Sequence, residues 1–246
     1  MPPRPRFEEL DFRSTSLGDL SLRRRTILSL DNREVYEIIL GDAFLMSSLF
    51  TVVEEALSEL GLKAALKKFG DRKLDVVVGG LGLGYTAVAA LEFEEVNSLL
   101  VIDYLQPVIE WHQQELVPLG KNLNQDERCR LVHNDFFTSA VETHFDPDQP
   151  DRQFHAVLLD IDHSPDNLLH ERHSNFYSVD GLKKLAQQIH DGGVFALWSD
   201  APPEASFMKA LEEVFDSCES HIVEFDNPLQ EKTSASTVYV AVKKEE

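Results

Sequence analysis

A string of glycines and three acidic strand ends hold the chemistry of this 246-residue chain. The string, Gly79-Gly80-Leu81-Gly82-Leu83-Gly84, follows the apolar run Val76–Val78 and precedes a helix-like segment, Thr86–Glu92. A strand that breaks into a glycine turn and then a helix cradles a phosphate or a nucleoside, because backbone without a Cβ turns sharply and approaches a ligand closely. A second apolar run, Ser98–Ile102, ends in Asp103, where an acidic side chain accepts hydrogen bonds from ribose hydroxyls. A third, Leu131–His133, leads into Asn134-Asp135-Phe136, and a fourth, Phe154–Leu159, into Asp160-Ile161-Asp162. Any one of these acids also suits a helix N-cap or a turn. Together they point to one crevice, since ligands of open α/β sheets bind outside the carboxyl ends of the strands. Asp160 and Asp162, next-but-one neighbours, attract an ammonium group. Their repulsion pushes one pKa upward, which suits a general base.

The elements that must position these residues change character near residue 45. Before it, Thr15–Leu17 and Leu20–Leu30 flank Gly18-Asp19, and Thr26–Leu30 and Val35–Leu40 flank Asp31–Glu34, two hairpin signals. Arg23-Arg24-Arg25 lies in one of these strands and reads as a solvated edge that resists pairing. After Gly41-Asp42 the period becomes helical. Leu49, Val52, Val53, Ala56, Leu57 and Leu60 mark one face, with Gly61 as the expected C-cap. Helices are expected over Pro107–Leu116, Gly181–His190 (N-capped by Asp180) and Pro203–Phe215, with a strand over Val194–Ser199. Ile222–Phe225 and Thr237–Val242 read as a closing antiparallel pair. Five βα units and such a pair make a doubly wound, mostly parallel α/β sheet with helices on both faces.

Composition narrows the function classes. The net charge of −20 argues against a nucleic-acid surface and is compatible with a cationic substrate. No run approaches the roughly 18 apolar residues of a membrane span, and the start, MPPRPRFEELD, lacks the apolar core of a signal peptide. Cys129 and Cys218 form neither a disulfide framework nor a metal spacing, so a reducing cytoplasm is expected and no metal. His163, His170 and His173 fall in DHSPDNLLHERH, which reads as a loop or short helix covering the pocket. Trp111 reads as core. No G-x-S-x-G elbow is present, which leaves a hydrolase without support.

From Gly80 the dinucleotide pattern G-x-G-x-x-G fails at Tyr85, whereas Gly80-x-Gly82-x-Gly84 matches the tighter form of S-adenosylmethionine-binding folds. The segments VVVGGLGLGYTA (76–87), VIDYLQPVIEWH (101–112), HNDFF (133–137), AVLLDIDHSP (156–165) and GLKKLAQQIHDGGVFALWSD (181–200) resemble the successive motifs of class I S-adenosylmethionine-dependent transferases. Within that fold the chain looks most like the spermidine synthase (polyamine aminopropyltransferase) family. The resemblance covers nearly the whole chain. It implies a Rossmann-like seven-stranded sheet over residues 46–246, preceded by a small β-hairpin domain over 1–45. It further implies that Gly79, Gly80, Gly82 and Gly84 cradle the amino-acid end of the donor, that Asp103 holds the ribose with Tyr104 beside the adenine, and that Asp135 accepts the adenine amino group with Phe136 packed nearby. Asp160 or Asp162 matches the family's general base, and Trp198, Ser199 and Asp200 line the acceptor pocket. A homodimer is the family's common state.

Two departures bear on the reaction. The family's Asp-Ser-Ser-Asp-Pro is one residue longer here, Asp160-Ile161-Asp162-His163-Ser164-Pro165, which leaves open which Asp is the base. The family's glycine loop carries an Asp where this chain has Gly82. A carboxylate there suits decarboxylated S-adenosylmethionine and repels the intact donor, so its loss admits a methyltransferase. Against that, Val78 stands where methyltransferases often place an acid. Three functions follow: aminopropyl transfer from decarboxylated S-adenosylmethionine to a small-molecule amine in polyamine biosynthesis, methyl transfer from intact S-adenosylmethionine to a small molecule, and a non-catalytic nucleoside-binding interaction module. No membrane or nucleic-acid partner is expected.

Overall fold

A computed structural model describes residues 6–245. The first five residues of the expected hairpin domain, and Glu246, lie outside them. The N-terminal part is a four-stranded antiparallel sheet in the order β1 (Phe7–Thr15), β2 (Gly18–Ile27), β3 (Arg33–Leu40), β4 (Ala43–Ser47). Both expected hairpins form, the first turning at Ser16-Leu17 so that Gly18-Asp19, the expected turn, already belong to β2. The second closes through a 3-10 helix, Leu28–Leu30, expected to be strand, and then Asp31 and Asn32, both at positive φ (51° and 60°). The arginine run is not on an edge. It lies in β2, an interior strand, where register sets Arg24 opposite Glu8 and Arg23 between Glu9 and Glu37. Arg25 pairs with Glu37 at 2.7 Å and Arg24 with Glu8. The positive run is paired with cross-strand glutamates, and Arg24 is largely buried.

Helix α1 (Val52–Phe69) follows; the stretch after Gly41-Asp42, expected to be helical, instead pairs with β3 as β4, and Leu49 precedes the helix. It runs straight through Gly61, the expected cap, and ends at Gly70. The reason is packing. A Cβ on Gly61 would lie 2.6 Å from Leu158 and 3.2 Å from Ala196, so glycine lets the helix settle directly on the sheet.

The remaining elements alternate as expected: β5 (Leu74–Gly79), α2 (Tyr85–Leu91), β6 (Val96–Asp103), α3 (Gln106–Gln113), α4 (Gly120–Gln125), β7 (Cys129–His133), α5 (Phe136–Val141), β8 (Phe154–Leu159), α6 (Val179–Gln187), β9 (Ile189–Ser199), α7 (Ala205–Val214), β10 (Ser217–Asn227) and β11 (Lys232–Val242). Helix α6 is capped by Ser178, whose hydroxyl accepts the Gly181 N–H, while Asp180 sits in its first turn. It stops at Gln187 because Ile189 and His190 already belong to β9, which bends at Gly192 (φ 75°).

The seven-stranded sheet has the order β10-β11-β9-β8-β5-β6-β7, with β10 and β11 antiparallel. Connections leave β5 in both directions, so the chain reverses its winding there and opens a crevice at the carboxyl ends. Val76, Val77 and Val78 are fully buried because helices cover both faces. One core joins α1, α2 and α3 to the sheet; the other, rich in phenylalanine, joins α5, α6 and α7 to the opposite face. Trp111 is buried in the first core as expected, and its Nε1–H donates to Asp11 of β1 at 2.7 Å, tying the two sheets' halves of the molecule together.

Gly61→Ala tests the helix–sheet contact. On an open helix this change stabilises by about 1 kcal/mol. Here the clash reverses the sign, with an expected loss of roughly 1–3 kcal/mol, read as a lower urea midpoint.

Candidate active site

The glycine turn is held from both sides by backbone. The Gly80 N–H donates to the Ile102 carbonyl of β6 at 2.9 Å, and the Asp160 N–H donates to the Gly79 carbonyl at 2.8 Å. Gly80 has φ 93°, and a Cβ on it would fall 2.0 Å from the Asp160 carbonyl oxygen. No other residue fits there.

Above the turn lies a cavity of about 350 Å3, within the range of roughly 300–1,000 Å3 common to small-molecule sites. Its floor follows the strand ends in sheet order: Trp198 after β9's centre, Asp160 and Ile161 at β8, Gly80 and Gly82 at β5, Asp103 and Tyr104 at β6, Asp135 and Phe136 at β7. The Asp103 carboxylate accepts from the backbone N–H groups of Leu81 (2.9 Å) and Leu105 (2.7 Å), so it braces the glycine turn while facing the cavity. Burial raises its pKa against those bonds. Asp135 caps α5 by accepting from Phe137 (3.0 Å) and Thr138 (3.3 Å). Its other oxygen lies 3.5 Å from the Arg172 guanidinium, which in turn stacks over the Tyr104 ring at 4.8 Å. The N-cap role and the cavity-facing role of Asp135 are therefore both real.

The expected site residues do not all reach the cavity. Gly79 is packed under Phe136, whose ring would meet its Cβ at 2.5 Å, and Gly84 (φ 93°) starts α2 against His112. Asp160 faces the cavity, with Thr86 donating to it at 2.7 Å. Asp162 is buried beneath the wall. It accepts from His173 Nδ1 (2.9 Å), the Tyr177 hydroxyl (2.9 Å) and the Leu169 N–H (2.8 Å). Trp198 lines the cavity. Ser199 is buried and accepts the Ala201 N–H, and Asp200 is exposed, 3.4 Å from His163.

Other residues enter the site without a sequence signal strong enough to name them. The N-terminal sheet supplies a wall: Ser16 and Leu17 from the β1–β2 turn, Ile38 and Leu40 from β3, Leu45 and Met46 from β4. Met46 Sδ accepts the Leu83 N–H at 3.1 Å and stands 2.7 Å from where a Cβ on Gly82 would lie. A side chain at position 82 would have to displace it. Glu54 of α1 enters beside Asp160. Its one legible trace is spacing, since Leu57 and Ser58, three and four residues on, are fully buried and share its side of the helix. Burial, and then the charge of Asp160, push Glu54 up to about 8; burial pushes Asp160 up to about 6 despite the Thr86 hydrogen bond. The expected loop over the pocket is present and holds a short 3-10 helix, Glu171–Asn175. It brings Leu169, His170, Arg172 and His173 to the cavity.

No protein-family model matches the chain, and no curated protein matches it. Solved structures do. A spermidine synthase crystallised in complex with the transition-state analogue AdoDATO superposes with a TM-score of 0.72 over 97% of this chain and 74% of that one, at 13% sequence identity. A spermidine synthase from Thermotoga maritima gives 0.70 over 97% and 73%, at 12% identity. The chain has the spermidine synthase fold. At such identity the likeness is one of fold, and function has to be argued from the site. Among the described residues no helix is long and apolar enough to cross a membrane.

The raised Glu54 sets a stability test. The folded state holds its proton more tightly than the unfolded chain, so stability falls as pH rises from the ordinary carboxylate range through about 8. Glu54→Gln removes that loss. Melting curves are expected to coincide near pH 4 and to separate by pH 8, the variant melting higher by at least about 1.4 kcal/mol, or roughly 3–6 °C.

Proposed function

We propose that this chain transfers an aminopropyl group from decarboxylated S-adenosylmethionine to a small-molecule amine. The observation that carries the reading is the Glu54–Asp160 carboxylate pair beside the glycine turn, in a cavity whose other strand ends carry Asp103 and Asp135. Gly82 has lost the loop carboxylate of the family pattern, and Met46 occupies its space. Glu54, arriving from α1, supplies a carboxylate to the cavity beside Asp160. Two neighbouring acids with raised pKa values keep a proton at neutral pH, on Glu54, while no cation is near. An ammonium group displaces that proton and pairs with both. The aminopropyl end of the decarboxylated donor is such a group. Intact S-adenosylmethionine would set a third carboxylate against the pair.

The other residues divide along the ligand. Asp103 is placed for the ribose hydroxyls, Tyr104 and Phe136 for the faces of the base, and Asp135 for its amino group. The acceptor enters the same cavity, whose wall also carries Trp198, Ile161, His163 and His173. Reaction needs little covalent help. The amine nitrogen attacks the propyl carbon bonded to sulfur, a C–N bond forms, and the C–S bond breaks with its electron pair going to sulfur, which leaves as the neutral thioether of methylthioadenosine. Alignment in a water-poor cavity is the main contribution, up to roughly 7–11 kcal/mol in the best-oriented cases. The family resemblance extends the reading to a homodimer in the cytoplasm, a setting consistent with two free cysteines.

Calorimetry tests the proposal. Decarboxylated S-adenosylmethionine is expected to bind at least tenfold tighter than the intact donor, about 1.4 kcal/mol, with proton release at pH 7 seen as a buffer-dependent enthalpy. Glu54→Gln is expected to erase most of that preference and the proton release, while methylthioadenosine, which lacks the aminopropyl group, binds as before. Tighter binding of intact S-adenosylmethionine, with S-adenosylhomocysteine as product, would overturn the reading in favour of methyl transfer.

A further inference from the structure

We infer that His173, oriented by Asp162, is the general base that takes the proton from the acceptor amine. The inference rests on the aminopropyl-transfer reading for the identity of that acceptor. It assigns the second acid of the Asp160-Ile161-Asp162 motif a role that the cavity alone leaves unexplained. Asp162 has almost no exposed surface and meets the cavity only through groups it holds, the His173 imidazole and the Leu169 N–H.

The ring is fixed on two sides. Its Nδ1 lies 2.9 and 3.1 Å from the two Asp162 oxygens. Its face stacks on Phe137 with centroids 3.8 Å apart and planes 20° apart. The Asp162 carboxylate is itself held by the Tyr177 hydroxyl and the Leu169 N–H. An ionised carboxylate only accepts, so Nδ1 carries a hydrogen, and in the neutral ring the lone pair is then on Nε2. Nε2 has no hydrogen-bond partner among the described residues, and His173, 6% exposed, lines the cavity. A carboxylate that sets the tautomer of an imidazole, whose other nitrogen meets the substrate, is the arrangement of a general base. The charged and titratable groups around the ring are Asp162 and Tyr177 on its Nδ1 side, His170 with its ring centroid 6.0 Å away, and Arg172, which turns instead toward Asp135.

The division of labour follows. Glu54 and Asp160 hold the cationic aminopropyl end of the donor and would lose that function if either took the acceptor's proton. His173 Nε2 takes one proton from the acceptor's ammonium group and becomes imidazolium, stabilised by Asp162. The freed amine attacks the propyl carbon, sulfur keeps the pair of the broken bond, and the product leaves as a secondary ammonium. The imidazolium then returns its proton to solvent. Asp162 is a positioning residue in this scheme and His173 the catalytic one.

The test uses single-turnover formation of methylthioadenosine from decarboxylated S-adenosylmethionine with putrescine, cadaverine or 1,3-diaminopropane, alongside 15N spectra of the imidazoles. His173→Ala is expected to slow transfer by about 10²–10⁴, to keep methylthioadenosine affinity within threefold, and to regain rate when imidazole is added. His173→Gln, closer in size and polarity, guards against misfolding and is expected to be slow without rescue. In wild-type spectra His173 is expected as the Nδ1–H tautomer, with Nε2 shifting when putrescine joins methylthioadenosine. Two results overturn the role of His173 in an enzyme that turns over: both variants within threefold of wild type, or a slow Ala variant that imidazole does not restore. A wild type that transfers to none of the diamines overturns the aminopropyl reading instead. In that event Nε2 still decides, since a shift on adding diamine keeps His173 at the acceptor and an unmoved resonance removes it.

Discussion

Gly80 lies so close to the carbonyl of Asp160 that a single added carbon would sit 2.0 Å from that oxygen. This backbone contact joins the ends of β5 and β8 at the point where the sheet reverses its winding. The Gly80 N–H is spent on β6 and the Gly79 carbonyl on the Asp160 N–H, so three strand ends are locked into one surface. The cavity depends on that lock. It brings Asp160 under the turn, within reach of Thr86, and holds its carboxylate away from water while Glu54 closes on it from α1. The raised pKa values of both acids follow from this geometry. They are a standing cost to the fold, of the kind that binding sites carry and that ligand binding offsets.

A second constraint comes from the N-terminal sheet. Its last strand delivers Met46 onto the glycine loop, and its first turn brings Ser16 to 3.4 Å from the Tyr104 hydroxyl. The sheet is thus a wall of the cavity, and the Trp111–Asp11 hydrogen bond keeps it in register with α3. The wall has a chemical consequence. With Met46 against Gly82, a carboxylate on the glycine loop would have to displace it, and the acid beside Asp160 is carried by α1 instead.

The segment between β8 and α6 completes the enclosure. Asp162, buried at its start, gathers donors from Leu169, His173 and Tyr177 and so folds the loop back over the strand ends. The same carboxylate that closes the loop sets the tautomer of His173, which couples the shape of the lid to proton chemistry inside it. Arg172, stacked on Tyr104 and near Asp135, fastens the lid at the nucleoside end.

By itself the sequence determined the strand–turn–helix of residues 74–91, the acids at the ends of β6, β7 and β8, the two N-terminal hairpins and the closing antiparallel pair. These depend on local periodicity and on turn chemistry, which neighbours in the chain dictate. Local signals failed where packing overrode them. Gly61 reads as a helix end, yet the nearness of Leu158 and Ala196 makes it the place where a helix touches the sheet. The arginine run reads as a solvated edge, yet pairing on both sides made its strand interior and its charges partners of Glu8, Glu9 and Glu37. Only the tertiary structure decided that Glu54 stands beside Asp160, that Met46 fills the space at Gly82, and that Asp160 and Asp162, two residues apart, face different partners. Side-chain direction at a strand-to-loop junction is set by what long-range packing leaves open, and no local pattern in the chain encodes it.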